Sequence, residues 1–404
     1  MTCRCHLVPR WLLVALAVLA APTLAAQQPA SPAKHHASKV WHAIGSLALE
    51  EESNNNVFQL SDAAKVGLDT LTAAAPPTTR FADMQRANDY ITVARVDLGV
   101  EGPGLLGRPL SVRADGRYDF YALNARRRNA ELGFAIAQAF PHHGRLQLRG
   151  RFVPSYFYRN FMADAVDSNG DGSIESNERI YAAGTYSDAR VLLGYRQWLI
   201  RSTATEPLGA AVELEVGRVT RTYAAPLSYR SYRGPEFVGG LTLDFTRSLG
   251  LDVGYTHAAL RSTPDSAVLV VNEPDFNRDF NGDGTAVDLR VRTVQLVDFS
   301  RLEQQLLLGL RAELAPGLAL GVHYQHRWRS FPSSQPYDVY NNSRRDRRDW
   351  AAVELSARLR PQVQFTVGAD VETQKVTRSL VPSLTGEITD YTRTRVYAGW
   401  RYHL

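Results

Sequence analysis

Cysteine is nearly missing from this chain, and lysine is scarce. The two cysteines, Cys3 and Cys5, both precede residue 11, so everything downstream is cysteine-free. Disulfide scaffolds, thiolate-ligated zinc and thiol nucleophiles are excluded there together. Beyond the N-terminal segment the only lysines are Lys34, Lys39, Lys65 and Lys375, which leaves arginine to carry almost all positive charge. No apolar run is long enough for a transmembrane helix. The best candidate, residues 11–21, falls well short of the ~20 residues that a bilayer requires. A surplus of one charge sign is lacking too. The formal net charge is +5, and Arg4 and Arg10 supply two of those charges. That excludes a strongly basic nucleic-acid-binding protein, so no nucleic acid is expected as a partner. Aromatic residues are plentiful, with 18 Tyr, 15 Phe and 6 Trp, which excludes a disordered chain.

The N-terminus has three parts. Arg4 and Arg10 form a charged start, residues 11–21 an apolar stretch, and Pro22 leads into a small-residue exit at Ala25-Ala26. This is the pattern of a secretory signal peptide over residues 1–26. A Pro- and Ala-rich linker is expected over 27–38, and the folded domain over 39–404.

From Val40 onward the hydrophobic period is two. Leu110, Val112, Ala114, Gly116, Tyr118 and Phe120 alternate with Ser111, Arg113, Asp115, Arg117 and Asp119. Strict alternation over eleven residues exceeds the usual soluble strand. The same pattern runs through Val363, Phe365, Val367, Ala369 and Val371, and through Leu318, Leu320, Val322 and Tyr324. Fourteen strands are predicted: 40–52, 88–101, 109–123, 129–140, 145–160, 185–199, 209–221, 234–246, 249–261, 291–311, 318–331, 349–360, 362–376 and 391–404. Short connections alternate with long polar ones, and both chain ends fall on the short-turn side. An even strand count with ~10–15 residues per strand predicts an all-β fold: a transmembrane antiparallel β-barrel in the bacterial outer membrane. Its surroundings would be lipid and lipopolysaccharide, and the barrel-assembly machinery would be its partner during biogenesis. A soluble propeller or solenoid would show a repeat of ~40–50 residues, and none is found.

Two features resemble a known group. The segment Glu51-Glu-Ser-Asn-Asn-Asn-Val-Phe-Gln-Leu-Ser-Asp62 is similar to the end of the first strand in β-barrel porin families of Gram-negative bacteria. The last strand, with Val396, Ala398, Trp400, Tyr402 and Leu404 on one face, resembles the C-terminal targeting strand of outer-membrane proteins. The resemblance implies an outer-membrane barrel of porin type and carries over no catalytic or binding residue.

If the apolar face meets lipid, the opposite face lines the lumen. It carries arginines such as Arg117, Arg149, Arg151, Arg327 and Arg395, interleaved with carboxylates such as Glu131, Glu213, Glu215, Glu303, Asp370 and Glu372. Near-balanced, interleaved charge predicts ion-pair ladders between neighbouring strands. The same list fits a charge-lined pore as well as structural stitching of a polar interior. The mixed run Arg344-Arg-Asp-Arg-Arg-Asp349 reads as a solvated or lipopolysaccharide-facing strand end.

One long connection carries a calcium-binding pattern. Asp167, Asn169 and Asp171 stand at positions one, three and five of a twelve-residue loop. Gly172 gives the turn, Ser173 offers its carbonyl, Glu175 is at position nine and Glu178 at twelve. Six oxygens at this spacing match the EF-hand loop, so a bound Ca2+ is expected, in a loop flanked by strands rather than helices. A weaker second site is expected at Asp279, Asn281 and Asp283, where position twelve is Arg290. Catalysis is not expected, because no nucleophile–base set and no phosphate loop appear. The sequence therefore predicts a porin-like channel for small hydrophilic solutes with calcium-stabilised extracellular loops. A closed barrel serving as a surface scaffold or receptor is the alternative, and an outer-membrane enzyme the third reading.

Overall fold

A computed structural model describes residues 40–71, 75–76, 78–165, 179–201, 208–262, 267–275, 288–333, 338, 341–377 and 390–404. The signal peptide and linker expected over 1–38 lie outside them. In chain order the strands are β1 (His42–Asn54), β2 (Asp89–Pro103), β3 (Pro109–Tyr121), β4 (Asn129–Ala139), β5 (Gly144–Ala165) and β6 (Arg179–Ile200). Then come β7 (Gly209–Tyr223), β8 (Tyr232–Asp244), β9 (Leu249–Ser262), β10 (Ala267–Asp275) and β11 (Asp288–Val297). The last five are β12 (Arg301–Ala315), β13 (Leu318–Ser330), β14 (Arg345–Arg360), β15 (Val363–Thr377) and β16 (Tyr391–His403).

Fourteen of these strands close into one antiparallel barrel. Closure is made by β1, which pairs with β2 and with β16, as in Leu49 opposite both Ala94 and Trp400. Every barrel strand therefore has two neighbours and no ladder edge is left open, the condition for strands in hydrocarbon. The remaining two, β10 and β11, form a separate hairpin. The fourteen-stranded expectation holds, with several boundaries moved: β6 starts at Arg179 and not at 185, and β14 at Arg345 and not at 349. Residues 291–297 belong to the hairpin, and the barrel strand expected from 291 starts at Arg301. Asp298 makes the break: its carboxylate accepts from Ser300 N (2.8 Å) and Ser262 Oγ (3.1 Å), fixing a turn where the apolar alternation reads straight through.

Period two sorts the side chains as the sequence predicts. Leu193, 48% exposed at mid-strand, stands beside Leu148 and Val216 on the outer surface. Its chain neighbour Leu192 is buried inside. Tyr90, Tyr118, Phe120, Phe152, Tyr195, Phe237, Tyr255 and Tyr324 all face outward, as interfacial aromatics do. So do Val396, Trp400, Tyr402 and Leu404 of the last strand.

The first long connection contains regular structure. Residues Asp62–Asp69 form a short helix, α1, whose N-cap Ser61 accepts from Ala64 N at 3.3 Å. Ala64 and Leu68, four apart, share one face and bury with Val57, Phe58, Leu60 and Met84. This cluster packs on Ile91, Val93, Tyr121 and Phe157, inward-facing residues of β2, β3 and β5. The first loop is thus folded into the barrel mouth and not out into solvent.

Candidate functional site

The lumen wall carries ion-pair ladders between neighbouring strands, as the interleaved charges predict. Arg395 on β16 donates to Asp370 on β15 (2.6 Å) and to Glu52 on β1 (3.1 Å), tying three strands. Arg311 on β12 reaches Asp252 (2.8 Å) on β9 and Asp244 (3.2 Å) on β8. Arg149 pairs with Glu215, while Gln147 donates to Glu213 (2.6 Å) and Glu215 (2.9 Å). Guanidiniums dominate these contacts because one planar fork can serve two carboxylates, which a lysine ammonium cannot match in geometry.

Toward the long-loop end the ladders open into a cavity of about 470 Å³. Ten arginines and four carboxylates line it, so charge balance fails locally although it holds over the chain. Each of the four carboxylates is already engaged: Asp119 with Arg117 (2.7 Å), Glu131 with Arg151 (2.5 Å), Asp188 with Arg221 (2.7 Å) and Asp346 with Arg344 (2.5 Å). Six further guanidiniums face the same space, including Arg301, Arg327, Arg329 and Arg348. Aromatic rings hold several of them in place. Arg301 lies over Tyr232 at 3.9 Å, Arg221 over Tyr186 at 4.0 Å and Arg344 over Phe331 at 4.2 Å. Stacking fixes the guanidinium plane and leaves its N–H edge available.

The cavity is roofed. Phe161 and Met162 of β5, Leu227 and Tyr229 between β7 and β8, and Phe299 before β12 form one buried apolar cluster, with Val376 of β15 against it. Since β5 and β15 stand on opposite sides of the barrel, this cluster bridges the mouth. A second brace comes from the first loop. Gln59 accepts from Tyr158 Oη (2.5 Å) on β5 and donates to Glu372 (3.3 Å) on β15. It also lines a smaller chamber of about 180 Å³ on the far side, beside Arg127, Arg393 and Arg395. Gln59 therefore stands between two polar compartments of one lumen.

The site residues predicted from sequence fare unevenly. Asp167, Asn169, Asp171, Ser173, Glu175 and Glu178, and the second set Asp279, Asn281 and Asp283, lie outside the described residues. Among the described residues no group of three His, Cys, Asp or Glu side chains is placed to hold a metal. Arg327, Glu303, Asp370 and Glu372 face the lumen as expected, but the run Arg344–Asp349 needs correction. Arg344 and Asp346 are buried inside the barrel and Arg348 lines the cavity; Arg345 and Arg347 alternate with them on the outside. The strand begins four residues earlier than its apolar alternation suggests, so a run that reads as solvated is half lumenal. Arg329 and Arg393 were missed, although strand parity with Arg327 and Arg395 was a signal that could have found them.

No protein-family model matches the chain, and no curated protein matches it in sequence. Among solved structures it is similar to the outer membrane channel DcaP of Acinetobacter baumannii, at 9% identity and a TM-score of 0.41, over 90% of this chain and 97% of that one. It is similar to an anion-selective porin from Comamonas acidovorans, at 10% identity and a TM-score of 0.38, over 90% and 99%. A Pseudomonas aeruginosa FadL homologue aligns at 11% identity and a TM-score of 0.36, over 89% and 90%. The assignment rests on the chain's own geometry. A closed, even-stranded antiparallel barrel with an apolar exterior, a charged interior and both ends on the short-turn side is a bacterial outer-membrane β-barrel.

Proposed function

We propose that the protein is a porin-like channel for small hydrophilic solutes. The observation that carries this reading is the water-accessible, charge-lined cavity inside a lumen whose ladders hug the wall. A barrel built only as a scaffold gains nothing from ten arginines around a space of about 470 Å³. The inward-folded first loop and the apolar roof act as a constriction above this space, where selectivity is set. No enzymatic role is proposed. Purified, refolded protein in a planar bilayer should give discrete conductance steps. Silent bilayers from protein whose folding is proven by heat-modifiable gel mobility would remove the channel.

The same roof favours a second reading, a closed barrel acting as a surface receptor. Its apolar cluster packs Phe161 of β5, Tyr229 and Phe299 together, with Tyr229 against Phe299 at 5.9 Å and Val376 of β15 against the group. Silent bilayers that stay silent after the first loop is cut away would select it.

We also propose, from the sequence pattern alone, that Asp167, Asn169, Asp171, Ser173, Glu175 and Glu178 bind one Ca2+, with a weaker site at Asp279, Asn281 and Asp283. Millimolar external calcium suffices to fill sites of ~0.1–1 mM affinity, so the ion would serve to stiffen loops.

A further inference from the structure

We propose that the lumen wall around Arg327 and Arg348 is an oxyanion-binding site, which takes the carboxylate or phosphate group of a small solute; its physiological meaning rests on the channel reading above. Arg327 on β13 and Arg348 on β14 are direct cross-strand partners, and both line the main cavity. Like charges placed directly opposite on adjacent strands repel. The wall also opposes Arg95 to Arg117 and Arg151 to Arg190, but there each arginine has a carboxylate of its own, in Glu50, Asp119, Glu131 and Glu236.

The carboxylates in reach do not neutralise this pair. Glu303 alone receives Arg301 (3.3 Å), Arg327 (3.4 Å) and Arg329 (2.6 Å). Glu372 receives Arg348 and also Arg393 (3.4 Å). Three guanidiniums thus share Glu303, and Arg348 shares Glu372 with Arg393, which also reaches Asp370 (3.6 Å). The side chain of Arg327 is only 14% exposed, so solvent does little to screen it.

The hydrogen-bond count points the same way. Arg327 Nε and Nη2 are buried and have no partner, and neither does Nε of Arg348. On a guanidinium, Nε–H and Nη2–H form one edge, with two parallel donors spaced for the two oxygens of a carboxylate or phosphate. The contact that Arg327 does make to Glu303 uses Nη1, on the other side of the group. Structural stitching would spend that bidentate edge on a protein carboxylate, as Arg344 does with Nε on Oδ1 and Nη2 on Oδ2 of Asp346. In Arg327 the same edge is buried without a protein partner, next to a second arginine, in a residue that lines a cavity large enough for a small organic acid or phosphate ester, so a turn of the side chain brings the edge to a bound anion. A neutral sugar offers no charge to offset the cluster, and a cation would be repelled.

Isothermal titration of the full-length, detergent-folded barrel at low ionic strength tests this, with inorganic phosphate and, separately, benzoate as probes. Saturable binding of either is expected, and their relative affinities tell a phosphate site from a carboxylate site. Arg327→Gln and Arg348→Gln should each weaken binding at least ten-fold. Arg113→Gln, whose side chain pairs with Asp97 at 4.0 Å nearer the short-turn end, should leave it unchanged. No binding of either probe to barrel with heat-modifiable mobility overturns the proposal, as does unaltered affinity in both lumenal variants. Should those variants not fold, the wild type decides: phosphate must raise its unfolding temperature more than chloride of equal ionic strength, and equal shifts overturn the site. Phosphate binding by a barrel that is silent in bilayers supports the site and removes the channel; a conducting barrel that binds neither probe does the reverse.

Discussion

Gln59 of the first loop, between the end of β1 and the start of α1, donates from Nε2 to Glu372 Oε1 on β15 at 3.3 Å. The contact places a loop side chain inside the lumen rather than above it. Asn56, three residues earlier, anchors the same turn: its Nδ2 donates to Leu60 O (2.7 Å) and to Thr392 O (3.0 Å), and its Oδ1 accepts from Leu60 N (2.8 Å). A side-chain amide with three bonds replaces the backbone pairing that an irregular loop cannot supply. Phe58, fully buried, then pins the turn against Phe157 with ring centroids 6.3 Å apart.

Removing that pin should free the constriction. Phe58→Ala deletes a buried aromatic ring, a change worth about 3–5 kcal/mol in a packed core, and here the loss falls on the loop and not on the barrel ladders. Hydrogen exchange should speed up over residues 56–69 while the strands stay protected. Single-channel conductance should rise in the same variant. Unchanged exchange in that segment would show that the loop is held by something other than Phe58.

Barrel class, strand number and outward face were legible because period two is a local signal repeated fourteen times. Val396, Trp400 and Leu193 could be placed by parity alone. The cavity was not legible, for two physical reasons. Its arginines cluster at strand ends, where Arg344, Asp346 and Arg348 precede the apolar alternation that marks β14. Its shape also depends on non-local packing, since α1 and the roof draw residues from β5, β15 and three loops into contact. Summed over the chain, charges nearly cancel, which hides a surplus confined to one chamber.

Calcium binding can be read without any channel assay. The carboxylates of Asp167, Asp171, Glu175 and Glu178 are brought within one twelve-residue loop and repel one another unless a cation joins them. Titration of the folded barrel with millimolar calcium should release or absorb heat with a one-site isotherm. Glu178→Gln should lose most of it, because it removes the charge of the expected bidentate ligand. Asp279→Asn should leave that isotherm in place. Identical flat traces for wild type and Glu178→Gln would reduce the motif to a polar turn.

Glu303 offers the sharpest test of how the charged wall is held together. Its carboxylate is the shared acceptor of Arg301, Arg327 and Arg329, on β12 and β13, and its side chain is 20% exposed. Glu303→Gln keeps the shape and one acceptor oxygen but leaves three guanidiniums without their counter-charge. Removing one partner of a buried ion pair costs about 3–5 kcal/mol, mostly through the charges left behind. The variant should therefore unfold at lower urea concentration than wild type, with the barrel intact in the absence of denaturant. Replacing one carboxylate by an amide also makes the cavity more positive. The reversal potential across a potassium chloride gradient should shift toward that of chloride. A variant as stable as wild type, with the same reversal potential, would mean that Glu303 neither braces the wall nor sets the charge that a solute meets.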